Sequence, residues 1–116
     1  MVEERINATQ AREGFASIAS RAAQSNLRRV DVLSELLSHV VRGDITETDR
    51  GRAVDIAHQL VGSAGTFGYR RVSEIAREVE LFFVLADHQD PARYEAAARS
   101  LAEMERELLS PPDDPD

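Results

Sequence analysis

The chain lacks several residue types and patterns, and each absence excludes a class of protein. Its 116 residues contain no cysteine, which excludes a disulfide framework and a thiolate metal site. All 14 basic residues are arginine, and the acidic chain, with a net charge of −7, has no basic stripe with interleaved aromatics, so no nucleic-acid partner is expected. No apolar run approaches the roughly 18 residues of a membrane span, and the N-terminus has no apolar signal core. We therefore expect a cytoplasmic protein without a membrane partner.

The chain also lacks the alternating apolar pattern of β-strands. Nearly every segment repeats apolar residues at intervals of three and four, which is typical of amphipathic helices. A chain of this length fits one domain, and short loops between helices favour antiparallel neighbours. The predicted fold is therefore all-α: an up-and-down antiparallel helical bundle, with a four-helix core plus an additional helix, over residues 1–109. Residues 110–116 contain three prolines and three aspartates and are predicted to form a disordered acidic tail.

Five helices are predicted from the apolar spacing and from capping residues. Ser25 and Asn26 are weak helix formers that favour a break after the first helix, although the helix can also continue through them. Gly43 is placed to end the second helix in a left-handed turn, and Gly68 stops the third. Asp90 caps the fifth. The expected spans are about Val2–Gln24, Leu27–Val41, Thr46 or Thr48 to Phe67, Val72–Asp87, and Pro91 to Leu109. The predicted buried side of the first helix is marked by Ile6, Phe15, Ile18 and Ala22.

One segment departs from the pattern of a generic bundle helix. It reads AHQLVGSAGTFGY from Ala57 to Tyr69, and its two helical glycines cost roughly 1 kcal/mol each relative to alanine. At about 100° per residue, the apolar residues of the helix fall within an arc of about 100°. We assign this arc to the core, and His58 falls on the opposite side. The core arc holds Ala53, Ile56, Ala57, Leu60, Ala64 and Phe67. Around His58 lies a partly apolar surface whose glycines leave it without bulky side chains, and such a surface favours docking of a partner. It is formed by Val54, Val61, Gly62, Gly65 and Tyr69.

The exposed imidazole of His58 suits phosphoryl transfer. Neutral imidazole is a nucleophile near pH 7, and its two nitrogens take different roles according to which one holds the proton. In-line transfer requires free approach to one nitrogen, and a carboxylate on the other nitrogen fixes the tautomer. Glu80 is the candidate carboxylate, because it lies about 80° from the centre of the fourth helix's apolar stripe, on a flank that can border the third helix. A solvated or structural histidine, and glycines that let two helices pack closely, are the alternatives.

The same residues resemble the histidine phosphotransfer (Hpt) family. The family pattern reads roughly A-H-x-L-K-G-x-x-x-x-x-G, and the residues in register with it are Ala57, His58, Leu60, Gly62 and Gly68. The segment is also similar to the phosphotransfer domain of chemotaxis-type histidine kinases, with looser similarity from about position 27 to 83. The resemblance implies a helical bundle in which His58 accepts phosphate from a kinase or a receiver aspartate. It then passes the phosphate to another receiver aspartate.

The resemblance also implies roles for neighbouring residues. In chemotaxis-kinase relatives a glutamate 22 residues after the histidine bonds to the imidazole, and Glu80 occupies that spacing. The sequence departs from the family at Val61, where a lysine usually lies near the phosphate, although some relatives with a similar glycine-rich segment also lack it. Arg77, three residues before Glu80, is a candidate for the missing cation. The family implies a phosphocarrier rather than an enzyme, with no cofactor of its own and Mg²⁺ on the partner receiver domain.

Two functions follow from these observations. The preferred one is a histidine phosphotransfer protein of a two-component phosphorelay, with His58 as carrier and a histidine kinase and a response-regulator receiver domain as partners. The rival, which Val61 favours, is a degenerate Hpt domain that docks a receiver or kinase without carrying phosphate. His39 is expected at a core edge or in solvent, and His88 near the C-terminus of the fourth helix. The three histidines share no ligand-like spacing, so no metal site is expected.

Overall fold

The computed structural model describes residues 2–85 and 90–112, and almost all of them are helical. The helices in these ranges are α1 (Val2–Arg42), α2 (Glu47–Thr66), α3 (Arg70–Val84) and α4 (Pro91–Leu108). Each helix packs against two others in the cyclic order α1, α2, α3, α4, with α4 returning to α1. Contacts between successive helices move forward along one helix as they move back along the next, so successive helices run antiparallel. The predicted all-α, up-and-down bundle is confirmed.

The predicted break between the first two helices is wrong. α1 is a single helix of 41 residues and sets the 63 Å length of the molecule. Asn26 does not cap a break but is fully buried, where its amide nitrogen donates to Ser63 Oγ of α2 (3.1 Å) and its Oδ1 accepts from Arg29 Nη1 (2.7 Å). Because these partners satisfy the side chain, it does not compete for backbone hydrogen bonds. The additional helix of the prediction is therefore the N-terminal half of α1.

The buried face of α1 also differs from the predicted one upstream of the bundle. Ile18 is 51% exposed and Ala22 is half-buried, whereas Ala19 and Ala23 are buried. Since α1 is continuous, its bundle-facing stripe runs back from Val30 through positions 26, 23 and 19, at intervals of three and four. Positions 18 and 22 lie outside that stripe. The side chains of the other two predicted residues, Ile6 and Phe15, lie outside the described part of the chain.

The helix ends follow the predicted capping residues. Gly43 follows α1 with a φ of 75°, and Gly68 follows α2 with a φ of 88°, a left-handed conformation that glycine adopts without strain. The Thr46 hydroxyl accepts a hydrogen bond from a first-turn backbone N–H of α2. Asp90 caps α4 in the same way, and Pro91 occupies the first turn, where its missing N–H costs nothing. These residues set where the chain reverses between helices.

The core is formed by apolar side chains from all four helices. The predicted core arc of α2 is confirmed at its centre, because Ala53, Ala57, Leu60 and Ala64 are fully buried. Its two edge residues, Ile56 and Phe67, are half-buried and pack against this core. Three of the four central residues are alanines, so the backbone of α2 lies close to its neighbours. The largest fully buried side chains are Phe83, Leu33, Leu60, Ile75 and Met104.

Some predictions concern segments that the structure describes only in part. α3 begins at Arg70, two residues before the predicted start, and its predicted end near Asp87 lies outside the described residues, as does His88. The predicted acidic tail is described only as far as Pro112. Within residues 2–85 and 90–112, no helix has both the length and the apolar character needed to cross a bilayer.

Candidate functional site

His58 lies on the outer surface of α2. Its side chain is 75% exposed, whereas Ala57 before it and Leu60 after it are fully buried. This is the side that the helical wheel assigns to it. An imidazole in this position has a ring edge that a partner protein can reach.

Glu80 of α3 is the hydrogen-bond partner of His58. The imidazole Nδ1 lies 3.3 Å from Glu80 Oε1, and the glutamate side chain is 29% exposed. An ionised carboxylate only accepts hydrogen bonds, so a neutral ring that donates to it from Nδ1 keeps its lone pair on Nε2. A contact of this kind can orient the ring and leave Nε2 available as a nucleophile. The structure brings together the two residues that the sequence paired.

The antiparallel packing of α2 and α3 explains this meeting. Gly68 reverses the chain, and the Tyr69 N–H donates to the Ala64 carbonyl (2.8 Å) to close the turn. Both helices rise by about 1.5 Å per residue, so each step forward along α2 is matched by one step back along α3. On α3, Arg77 lies between Glu80, which contacts His58, and Ser73, whose hydroxyl donates to the Val61 carbonyl (2.8 Å). Arg77 is exposed and makes no hydrogen bond or ion pair within the described part of the chain.

The two glycines that follow His58 have different surroundings. A Cβ at Gly62, one turn after His58, would meet no atom within 4 Å. A Cβ at Gly65 would lie 3.4 Å from Ser73 Oγ of α3. Gly62 therefore faces open space on the outer side of α2, whereas Gly65 allows close contact between α2 and α3. The close-packing alternative applies to Gly65 alone.

Three predicted docking residues are less exposed than the wheel implies. Val54 and Val61 are half-buried and pack against the core, so only part of each side chain is available to a partner. The prediction that Tyr69 belongs to the exposed docking surface is wrong, because its side chain is buried. Its hydroxyl donates to the Ser110 carbonyl (3.1 Å), and burial raises the pKa of its phenol. The wheel misplaced Tyr69 because α2 ends at Thr66 and the chain turns at Gly68.

A polar network between α1 and α2 lies beside His58 and was not predicted. Arg29 Nε donates to Oε1 of Gln59 (3.2 Å), and Gln59 is the residue after His58. Arg29 Nη1 donates to Oδ1 of Asn26 (2.7 Å). Asn26 in turn donates to Ser63. The sequence signal for this network was Asn26, a polar residue at a position where the stripe of α1 is otherwise apolar. These contacts fix α1 against α2 on the flank away from Glu80.

His39 lies apart from this site, at the C-terminal end of α1. Its Nδ1 is 2.9 Å from Asp44 Oδ1, and Arg42 Nε is 3.6 Å from Asp44 Oδ2. The hydrogen bond from His39 lowers the pKa of the Asp44 carboxyl. The cluster closes the turn after α1. Among the described residues, no group of three or more His, Asp or Glu side chains is arranged to hold a metal ion.

Comparison with protein-family models gives a match to the Hpt domain over residues 17–110. This range holds α2, α3, α4, the part of α1 that packs on them, and both His58 and Glu80. Neither the curated proteins nor the solved structures that were searched gave a match. The family match confirms the resemblance seen in the segment around His58. Since the match covers well over half of its residues, the chain belongs to the Hpt domain family.

Proposed function

We propose that this Hpt domain carries a phosphoryl group on His58 in a two-component phosphorelay. It takes the group from a histidine kinase or a receiver aspartate and gives it to a response-regulator receiver domain. The family supplies the reaction class, histidine phosphotransfer in two-component signalling. The observation that carries the proposal is the hydrogen bond between Nδ1 of an exposed His58 and Oε1 of Glu80.

The transfer exchanges a phosphorus–oxygen bond for a phosphorus–nitrogen bond. The Nε2 lone pair of His58 attacks the phosphorus of an aspartyl phosphate in line, and the aspartate oxygen leaves with the electron pair. The imidazolium that forms donates from Nδ1 to the Glu80 carboxylate, which stabilises the positive charge. The return step is the reverse, with another receiver aspartate as acceptor. The partner receiver supplies Mg²⁺ and the catalytic groups, so the Hpt domain is a carrier.

Arg77 is the residue that we assign to compensate the phosphoryl charge. It lies on α3 between Glu80, which contacts His58, and Ser73, which contacts Val61. Val61 is the position from which a lysine would otherwise reach the phosphate. The Arg77 guanidinium is exposed and has no partner among the described residues. Arginine pairs with phosphate oxygens through two parallel hydrogen bonds. A cation supplied from α3 in this way replaces one from α2.

The second candidate function is a docking module that carries no phosphate. Val61 is the observation that favours it, because the side chain at this position is apolar and half-buried. The two functions share a partner and a docking face, and they differ only in whether His58 becomes modified.

The deciding experiment exposes the full chain to a phosphorylated receiver domain and measures acid-labile, alkali-stable phosphate on the chain. We expect label on the wild-type protein and none on His58→Gln. His39→Gln is the matched control, because His39 also has a carboxylate on Nδ1, at 2.9 Å, and should label normally. Wild-type protein that stays unlabelled with several cognate receivers and kinases would leave the docking module as the function. Label that persists in His58→Gln would move the site to another residue.

A further inference from the structure

The hydrogen bond between His58 and Glu80 depends on the register of two helices. At 3.3 Å the bond is near the outer limit for such contacts, so it is sensitive to any slide of α3 along α2. The imidazole is largely exposed and receives little support from side-chain packing. Its alignment with Glu80 must therefore come from contacts elsewhere along the interface between α2 and α3.

Arg50 makes such a contact on one side of the site. It lies on α2, two turns before His58, and its Nη1 donates to the carbonyls of Val84 (3.1 Å) and Phe83 (3.4 Å). Carbonyls in the last turn of a helix have no partner within the helix. Glu47 orients the guanidinium, accepting from Nε at 3.1 Å and from Nη2 at 2.7 Å. Arg50 thus ties the first turns of α2 to the C-terminal end of α3.

Ser73 makes the corresponding contact on the other side of the site. Its hydroxyl donates to the Val61 carbonyl (2.8 Å), three residues after His58, and the side chain is buried. Gly65 faces the same hydroxyl, and a Cβ there would lie 3.4 Å from the serine oxygen. A buried hydroxyl bonded to the backbone of the neighbouring helix keeps the two helices from sliding. Glu80 lies between Ser73 and the α3 carbonyls that Arg50 holds.

We propose that Arg50 and Ser73 are positioning residues of the phosphotransfer site, which hold α2 and α3 in the register that brings Glu80 Oε1 to Nδ1 of His58. Their hydrogen bonds across the interface go to backbone carbonyls of the opposite helix, so we assign them an effect on the imidazole that acts through Glu80. The consequence for transfer rests on the proposed function. The hydrogen bond itself is measurable in the unphosphorylated chain.

The test compares Arg50→Met and Ser73→Ala with a matched control, Arg71→Met. Arg71 also anchors α3 through a guanidinium, but its ion-pair partners are Glu103 of α4 (3.0 Å) and Glu74 of α3 itself (3.5 Å). Its loss therefore removes a comparable contact from the other side of α3. Ser73→Cys keeps a weak donor of similar size and serves as a second variant where Ser73→Ala folds poorly.

The first measurement is the tautomer ratio of His58, read from two-bond nitrogen–proton NMR correlations in the full chain below its unfolding temperature. Glu80→Ala gives the ratio for a ring without its carboxylate. We expect Arg50→Met and Ser73→Ala to shift the ratio toward that value, the double variant to reach it, and Ser73→Cys to lie between Ser73→Ala and wild type. Arg71→Met should keep the wild-type ratio. The second measurement is the transfer rate from a phosphorylated receiver, expected to fall by up to about 100-fold in the double variant.

The outcomes separate the positioning role from the proposed function. A wild-type tautomer ratio in the folded double variant overturns the positioning role, as does an equal shift in Arg71→Met. If the ratio shifts as expected but the wild-type chain never accepts phosphate, the positioning role is supported and the phosphocarrier function fails. If the wild-type chain accepts phosphate while the double variant keeps its tautomer ratio and transfer rate, only the positioning role fails.

Discussion

Replacing Gly62 is expected to separate the stability of α2 from the accessibility of His58. Side chains on a helix lean toward its N-terminus, so a residue covers the turn that precedes it. A side chain at position 62 therefore lies over His58, one turn earlier. A Cβ added there meets no atom within 4 Å, so the fold has room for the substitution.

The stability change follows from helix propensity alone. Glycine inside a helix costs about 1 kcal/mol relative to alanine, and with no steric term at position 62 the full gain should appear in Gly62→Ala. For a chain of this size, that gain raises the midpoint of thermal unfolding by roughly 4 °C. Gly51 is the matched control: its Cβ would also meet no atom within 4 Å, and it lies two turns before His58. Gly51→Ala should therefore be stabilised equally without covering the ring.

The transfer rate should change in the opposite direction. A leucine at position 62 holds the partner more than about 1 Å away from the in-line position, and misplacement of that size costs about 100-fold in rate. Gly62→Leu should therefore be at least as stable as wild type and transfer about 100-fold more slowly, with Gly62→Ala in between. Urea unfolding and the timed appearance of acid-labile phosphate measure the two quantities. Transfer by Gly62→Leu at the wild-type rate, or a loss of stability in Gly62→Ala, would refute this reasoning.

Three further predictions concern charge, a buried amide and pH. Arg77→Gln should make phosphohistidine hydrolyse about 10-fold faster, the lower end of the range for one hydrogen bond to a charged group. Val61→Lys should restore its lifetime, and Arg99→Gln controls for net charge. Equal lifetimes in all variants would contradict the role of Arg77. Asn26→Ala should lower the free energy of unfolding by about 1–3 kcal/mol, since it removes hydrogen bonds at both ends of a buried amide; an unchanged urea midpoint would contradict this. Burial raises the pKa of the Tyr69 phenol, so the folded state favours the neutral form of this group. Its contribution to the free energy of unfolding is therefore fully present below about pH 10, which is the pKa of the phenol in the unfolded chain. That contribution is lost as the pH rises from there toward the pKa of the folded state. Tyr69→Phe should reduce that alkaline loss in urea unfolding between about pH 8 and pH 11, and an identical slope in both proteins would exclude the effect.

The helix ends were predictable because their causes are local. A glycine with positive φ or a capping oxygen acts within a few residues of its own position, as at Gly43, Gly68 and Asp90. The continuity of α1 was not predictable in this way. We attribute the continuity to the hydrogen bond between Asn26 and Ser63, which are 37 residues apart in the sequence. The same side chain without that partner would favour the break that the sequence indicated.

The candidate site was predictable as far as regular helix geometry reaches. His58 and Glu80 lie on two helices joined by one short turn, so the wheel and the spacing place them near each other. The wheel failed for Tyr69, which lies beyond the end of α2. The contacts of Arg50 could not be read from the sequence, since its partners on α3 are backbone carbonyls, which every residue has.

The α2–α3 hairpin also has a consequence for the order of folding. Both members of the site are contributed by this one hairpin, and His58 and Glu80 are only 22 residues apart. Closing so short a loop costs less chain entropy than joining α1 to α4 across the whole chain, and local contacts of this kind form early in helical proteins. We therefore expect substitutions in the turn between α2 and α3 to change mainly the folding rate, and substitutions where α1 meets α4 to change mainly the unfolding rate. The candidate site would then be assembled before the ends of the chain have met.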